Sequence, residues 1–153
     1  MPILLVKESL TAAQKSFLKT ISGKIYVIGG TAAVSKNVEN ALKSYGSVKR
    51  VSGTTRHETS VAVAKQFFEN PKSAVLAYSN NFPDGLCGGA LAYSINAPLI
   101  LTATGKETTA VKYTTSMEIE TGYVLGGVTQ ISDTSVCKIF NLPSGTKIEL
   151  FGD

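Results

Sequence analysis

The sequence is poor in the residues that most often build catalytic and metal centres. Of its 153 residues, only two are cysteines, one is a histidine and 17% are charged. Cys87 and Cys137 lie 50 positions apart with no CxxC pair, so their spacing carries no zinc signature. We predict two free thiols buried in apolar helices, with a disulfide left open as the alternative. His57 has no Cys, His or acidic cluster near it in the sequence, so no zinc site is predicted, and no other cofactor is expected.

Long hydrophobic runs and dense basic stripes are also missing. The sequence has no 18-residue apolar run that could cross a membrane, and its first residues lack the charged region of a signal peptide. The net charge is +4, but only two of the fifteen basic residues are arginines. Nucleic-acid binding would need a denser Arg/Lys stripe. We therefore expect no membrane insertion and no nucleic-acid partner, whereas the mildly basic balance favours anionic partners.

What the chain does have is an internal repeat. PILL at residues 2–5 recurs as PLIL at 98–101, 96 positions later. IGGTAAVS at 28–35 recurs as LGGVTQIS at 125–132, 97 positions later. A period of this length is that of a small domain rather than of a solenoid unit. The chain is therefore expected to hold about one and a half copies of one unit.

Short apolar runs alternate with amphipathic stretches along the whole chain. Continuously apolar runs predict strands buried on both faces; these are Ile3–Val6, Lys24–Ile28, Val48–Val51, Ala74–Tyr78, Pro98–Leu101, Gly122–Leu125 and Lys147–Phe151. Helices are predicted between them, over Thr11–Ile21, Ser35–Tyr45, Glu58–Glu69, Asp84–Ile95, Thr108–Met117 and Asp133–Phe140. The alternation predicts an α/β fold with a doubly wound parallel sheet, Rossmann- or Toprim-like.

Candidate binding residues follow the predicted strands, where doubly wound sheets bind ligands. Residues 50–60, RVSGTTRHETS, supply Arg50, Arg56, Glu58 and Thr59, and Asp84 opens a later helix. Arg56 could clamp a phosphate or carboxylate, or it could pair with neighbours to fix the turn. Glu58 and Thr59 are expected to shape that turn. Asp84 is expected to cap the helix or organise its loop.

Other sequence patterns indicate structural roles rather than ligand binding or catalysis. The turn at Gly29-Gly30 could present amides to an anion, but it is neither GxGxxG nor a Walker loop. Gly88-Gly89 favours close packing of a helix. Ser79, His57 and Asp84 are the residue types of a hydrolase, but no Gly-x-Ser-x-Gly turn is present. We therefore expect that the chain is not an enzyme.

Several of these segments together resemble the clostridial and bacillar cell wall binding repeat 2 family. Residues 50–60 are similar to its opening Arg-hydrophobic-x-Gly-x-Asp-Arg-Tyr-Glu-Thr-Ser/Ala segment, with Thr55 in place of Asp and His57 in place of Tyr. NFPDGL at 81–86 is similar to its Phe-Pro-Asp-Ala-Leu segment. APLILT at 97–102 and LGGVTQIS at 125–132 are similar to its Ala-Pro-Ile-Leu-Leu-Thr and Ile-Gly-Gly-x-x-x-Val-Ser segments.

The resemblance implies a division of the chain into repeats. Residues 1–47 would be the second half of one repeat and 48–140 a complete repeat. Residues 141–153 would be a tail that could hold the first strand of a following repeat.

The resemblance also implies a function. Such repeats occur in tandem in surface-layer and cell wall proteins, beside a variable effector domain that can be catalytic. They anchor the parent noncovalently at the Gram-positive cell surface through an anionic secondary cell wall polymer. Sister repeats are expected as further partners, and an incomplete array could self-associate. Two other hypotheses stay open: a structural repeat that only packs with sister repeats, and a nucleotide- or small-molecule-binding Rossmann-like domain.

Overall fold

The computed structural model describes residues 2–149, in which helices and strands alternate. The helices are α1 (Ala12–Leu18), α2 (Lys36–Leu42), α3 (Arg56–Phe67), α4 (Pro83–Ser94), α5 (Thr108–Met117) and α6 (Asp133–Ile139). The strands are β1 (Lys24–Ile28), β2 (Ser47–Val51), β3 (Ser73–Tyr78), β4 (Leu99–Thr102) and β5 (Thr121–Leu125). None of the described helices is long and apolar enough to cross a membrane.

The strands form two parallel sheets. In the first sheet β1 pairs with β2, with Lys24 opposite Ser47 and Ile28 opposite Val51. In the second sheet the order is β4-β3-β5, so that β3 lies between its two partners. The predicted α/β fold with parallel strands is confirmed, and its strands divide between two sheets.

Helices cover both faces of the β4-β3-β5 sheet. On one face Leu76 and Ile100 pack with α3, α5 and α6 in a buried cluster that includes Tyr113. On the other face Val75 packs with Ala92 of α4. Because side chains alternate along a strand, neighbouring residues of β3 serve opposite faces, and this explains why its predicted run is continuously apolar.

Polar side chains fix where most helices begin. A hydroxyl at the N-cap accepts a hydrogen bond from a backbone N–H of the first turn, which otherwise lacks a partner. These caps are Thr11 for α1, Ser35 for α2, Thr55 for α3 and Ser132 for α6. Pro83 occupies the first turn of α4, where proline's missing N–H costs nothing.

Two predicted strands are absent from the described residues. Residues 2–6 form no strand, although Leu4 and Val6 pack against a buried cluster. The prediction of a strand over Ile3–Val6 is wrong because apolar side chains alone do not make a strand: the backbone needs a ladder partner. Residues 147–149 are likewise not a strand, and the rest of the predicted strand Lys147–Phe151 lies outside the described residues.

The two thiols differ in their surroundings. Both are free, but Cys137 is buried and Cys87 is exposed. The prediction that both are buried is wrong for Cys87, because α4 turns Gly88 and Ala92 toward the sheet and leaves Cys87 on its outer side. An apolar composition therefore does not identify the buried face of this helix.

Gly53 permits the close approach of the β2–α3 turn to α3. A Cβ at this position would overlap the Cβ of Glu58 and lie 2.8 Å from the backbone carbonyl carbon of Glu58. We predict that Gly53→Ala lowers the free energy of unfolding by about 1–3 kcal/mol, the usual cost of overpacking. Urea unfolding measures it. Gly89→Ala is the matched control: open space surrounds this helical glycine, so stability should rise by about 0.5–1 kcal/mol. Equal stability of the two variants would contradict the prediction.

Candidate functional site

The turn between β2 and α3 is built by its own side chains. The Glu58 carboxylate accepts hydrogen bonds from the N–H groups of Thr54 and Thr55 at 2.7 and 3.1 Å. The Thr59 hydroxyl accepts one from the Gly53 N–H at 3.0 Å. Thr55 and Glu58 together form a capping box. Glu58 and Thr59 therefore fix the turn that precedes α3 and the start of that helix.

Arg56 projects from this helix start toward the loop that follows β3. The residue is exposed, and its Nη1 donates a hydrogen bond to the Ser79 carbonyl oxygen at 2.7 Å. A guanidinium carries five N–H donors in a planar fork. Since this contact uses one of them, the others remain for a ligand, and the contact itself fixes the position of the side chain.

His57 and Lys106 lie in the same region as Arg56. Burial lowers the pKa of His57, and the neighbouring charges of Arg56 and Lys106 lower it further, against a smaller opposing effect of Glu58. The Nε2 atom of His57 is buried without a hydrogen-bond partner among the described residues. His57 is therefore neutral at pH 7, whereas Arg56 and Lys106 are charged. These three residues are called the basic edge below.

Asp84 lies in the first turn of α4 and is half-buried. Its Oδ2 atom would lie 3.3 Å from a Cβ built on Gly126, in the turn after β5. Gly126 has φ +126°, a conformation that favours glycine. Asp84 therefore lies where the loops after β3 and β5 meet, at the carboxyl end of the sheet, as does the Ser79 carbonyl that Arg56 contacts.

The loops after β4 and β5 are joined directly. The N–H of Thr104 donates to the Gln130 carbonyl oxygen at 3.0 Å, and the Thr104 hydroxyl accepts from the Ser132 N–H at 3.0 Å. Nearby, the buried Glu107 accepts from the Ser135 hydroxyl and from the Gly105 N–H at 2.6 Å each. These bonds hold the loop that carries Lys106, so the basic edge rests on a fixed backbone.

Arg50 lies at the other sheet and faces inward. Its guanidinium forms an ion pair with Glu39 at 2.9 Å, and only 15% of the Arg50 side chain is exposed. It also donates to the carbonyl oxygens of Gly29 and Val34 at 2.5 and 2.8 Å. Arg50 thus ties β2 to the turn after β1 and to α2. The structure brings Arg56 and Asp84 to one sheet edge and places Arg50 elsewhere.

The Gly29-Gly30 turn is engaged in this same framework. The N–H of Gly29 donates to the Val51 carbonyl oxygen at 2.9 Å, and the Gly29 carbonyl accepts from Arg50. Gly29 has φ +112°, so the position favours glycine. Its backbone polar groups therefore hold the first sheet together.

A hydrolytic arrangement is not assembled by the candidate residues. Ser79 is buried, and its hydroxyl donates to the side-chain oxygen of Asn80 at 3.4 Å. Over residues 2–149, no group of three or more His, Cys, Asp or Glu side chains is placed to hold a metal ion.

Lys106 is the residue of the basic edge that sequence reasoning missed. It lies in the loop after β4, and the rule that parallel strands bring their carboxyl ends to one edge could have placed it beside Arg56. The Ser79 carbonyl, which positions Arg56, left no signal because backbone groups carry no sequence identity.

Comparison with known proteins agrees with this architecture. The model of the family "Cell wall binding domain 2 (CWB2)" matches residues 1–39 and 50–136. The Bacillus subtilis (strain 168) N-acetylmuramoyl-L-alanine amidase LytC is 33% identical over 147 residues, 92% of this chain and 28% of LytC. The amidase enhancer of the same organism is 36% identical over 107 residues, 69% of this chain and 15% of that protein.

Solved structures give the same result. Cwp8 from Clostridium difficile aligns with a TM-score of 0.67 and 32% identity, over 84% of this chain and 22% of Cwp8. Cwp6 from the same organism shares the fold, with a TM-score of 0.70 and 24% identity, over 92% of this chain and 24% of Cwp6. The chain thus spans less than a third of the length of each of these four proteins. Because the family model matches most of its residues, the chain belongs to the cell wall binding domain 2 family.

Proposed function

We propose that this chain is a noncovalent anchor that binds an anionic polymer of a Gram-positive cell wall at the basic edge. The observation that carries the proposal is Arg56: an exposed guanidinium, held by one contact and with donors to spare, at the carboxyl end of the sheet. Arg56 would bind a phosphate or carboxylate by paired hydrogen bonds, and Lys106 would add charge. Asp84 would organise the adjoining loop, and Glu58 and Thr59 would hold the turn.

The unit works outside the cell, at the wall, and any catalysis lies in another domain of the parent. Membership of a cell wall binding family and the net charge of +4 support this view. The division into residues 1–47, 48–140 and 141–153 stays a prediction. A nucleotide site at Gly29-Gly30 is disfavoured because the Gly29 amide and carbonyl already have partners.

Removing the Arg56 guanidinium tests the binding surface. We predict that Arg56→Ala weakens binding to purified Gram-positive walls at least about tenfold, because a charge-assisted contact contributes about 1.5–3 kcal/mol and each 1.4 kcal/mol is about tenfold in affinity. Cosedimentation across a salt series, with walls before and after acid extraction of the anionic polymer, measures it. Acid extraction of the polymer should abolish wall binding by the unsubstituted 153-residue chain, and rising salt should weaken that binding.

Lys65→Ala is the matched control for Arg56→Ala. Lys65 is an exposed cation in the last turn of the same helix, at the end remote from the basic edge. Lys65→Ala changes the net charge by the same amount as Arg56→Ala. It should leave the affinity for the wall within about twofold of that of the unsubstituted chain, as expected for a distant screened charge. Equal losses from Lys65→Ala and Arg56→Ala would show that net charge, not the basic edge, carries the binding.

A substitution at Arg50 tests whether this arginine stabilises the fold or binds the ligand. We predict that Arg50→Lys lowers the free energy of unfolding by about 1–3 kcal/mol, because an ammonium cannot replace all four hydrogen bonds to Glu39, Gly29 and Val34. Urea unfolding measures this loss. Wall binding by the folded fraction should not change. Full stability with weaker binding would assign Arg50 to the ligand surface instead.

The lowered pKa of His57 makes stability depend on pH. The unfolded chain takes up a proton near pH 6.5, and the folded chain does so only at lower pH. The unfolded state therefore binds more protons as the pH falls from 7 to 5, and the free energy of unfolding should fall. In His57→Gln the fall should be smaller, as urea unfolding at each pH would measure. Since His57 is the chain's one histidine, identical pH profiles would refute this assignment.

A further inference from the structure

Three of the large apolar side chains that the first half of the chain leaves exposed lie in the segment at residues 2–6 and at the end of β1. Ile3 is 88% exposed, Leu5 85% and Ile28 45%. Ile3 and Leu5 lie two positions apart in the segment of residues 2–6, and Ile28 ends β1. Together these three residues are called the acceptor face. Several large apolar side chains left exposed in this way indicate a surface that another element covers.

The internal repeat identifies what covers the corresponding residues in the second half. Ile3 and Leu5 correspond to Leu99 and Leu101, 96 positions later, and Ile28 corresponds to Leu125, 97 positions later. All three of these leucines are half-buried. Helix α4 covers them: a Cβ on Gly88 would lie 2.6 Å from Leu125 Cδ1 and 2.8 Å from Leu99 Cδ1. A Cβ on Gly85 would lie 3.9 Å from Leu101 Cδ2.

The opposite side of the same segment is already packed as in the second half. Leu4 and Val6 pack against the buried cluster formed by side chains of α1, β1 and α2, and their counterparts Ile100 and Thr102 are fully buried. The segment at residues 2–6 therefore keeps the side-chain alternation of β4 without its hydrogen bonds. Only the side that α4 would cover is open.

The absence of strand pairing at residues 2–6 follows from the same missing element. In the second half, β4 and β5 both pair with β3 and not with each other. The first half has the β4-like segment at residues 2–6 and the β5-like strand β1, and in the described residues β1 pairs only with β2. A strand like β3 would fit between them and would give both backbones a partner.

We propose that the acceptor face binds a strand–helix segment of a sister unit, equivalent to β3 and α4 (residues 73–94) of this chain. The strand pairs with β1 and with residues 2–6, and the glycine-bearing side of the helix packs on Ile3, Leu5 and Ile28. This interface shares no residue with the basic edge, so each proposal can fail without the other.

The test supplies the missing segment within one polypeptide. Residues 48–97 are placed directly before Pro2, in place of Met1, so that the new Ala–Pro junction repeats the natural Ala97-Pro98 junction. We expect amide hydrogen exchange of residues 3–6 and of β1 to slow at least about tenfold relative to the 153-residue chain, because unpaired amides become ladder amides. Unchanged exchange in the folded extended chain would overturn the proposal.

Two variants of the added segment make the test specific. Its Gly88→Leu equivalent should abolish the added protection, because the new side chain would collide with Ile3 and Ile28. Its Phe82→Ser equivalent should preserve the protection, because Phe82, the residue that precedes α4, is 76% exposed. Equal protection in the Gly88→Leu and Phe82→Ser forms would overturn the proposed helix placement.

A second measurement covers the case in which the extended chain does not fold. The 153-residue chain, labelled with ¹⁵N, is titrated with a synthetic peptide of residues 71–97. We expect saturable shifts confined to residues 2–6 and 24–28, and their loss in Leu5→Asp, a substitution at an exposed position. Absence of shifts at these residues would refute the acceptor face.

Discussion

The pairing of β3 with two neighbours is the interaction on which the rest of the structure depends. Residues 74–77 have no exposed surface, and their backbone joins β4 on one side and β5 on the other. This central strand brings the loops after β3, β4 and β5 to one edge, where Arg56 meets the Ser79 carbonyl. In the first half, residues 2–6 have the apolar alternation of a strand but no such neighbour, and no strand forms there.

The two arginines show how partners decide the role of a side chain. Arg50 and Arg56 lie six positions apart around one turn, and both are family motif residues in the resemblance drawn from sequence. Arg50 meets a carboxylate and two carbonyls, makes four hydrogen bonds to them and is largely buried. Arg56 meets one carbonyl and stays exposed. The first therefore stabilises the fold, and the second has the hydrogen-bonding capacity that an anionic ligand requires.

Sequence patterns predicted elements well where local signals agree with tertiary contacts. The prediction of β1 at Lys24–Ile28 and of α5 at Thr108–Met117 is confirmed to the residue. Helix α3 begins at Arg56 rather than at Glu58 because Thr55 and Glu58 form a capping box that the apolar periodicity does not reveal. For the site, the sequence indicated Arg56 and Asp84 through strand ends. The same rule, applied to the loop after β4, could have indicated Lys106, but the hydrogen bond that ties this loop to Gln130 leaves no signal in the sequence.

Wall anchoring by such a unit depends on geometry between units as much as on contacts within one. A single exposed guanidinium and a neighbouring ammonium give weak, salt-sensitive binding. If the units bind at the basic edge as proposed, several of them on one chain would multiply that affinity only where their basic edges are spaced so that one polymer can reach them together. A sister segment docked on the acceptor face would fix that spacing through paired strands rather than through a flexible linker. The uncovered apolar residues of the first half would then be the means by which weak individual sites add up to a firm anchor.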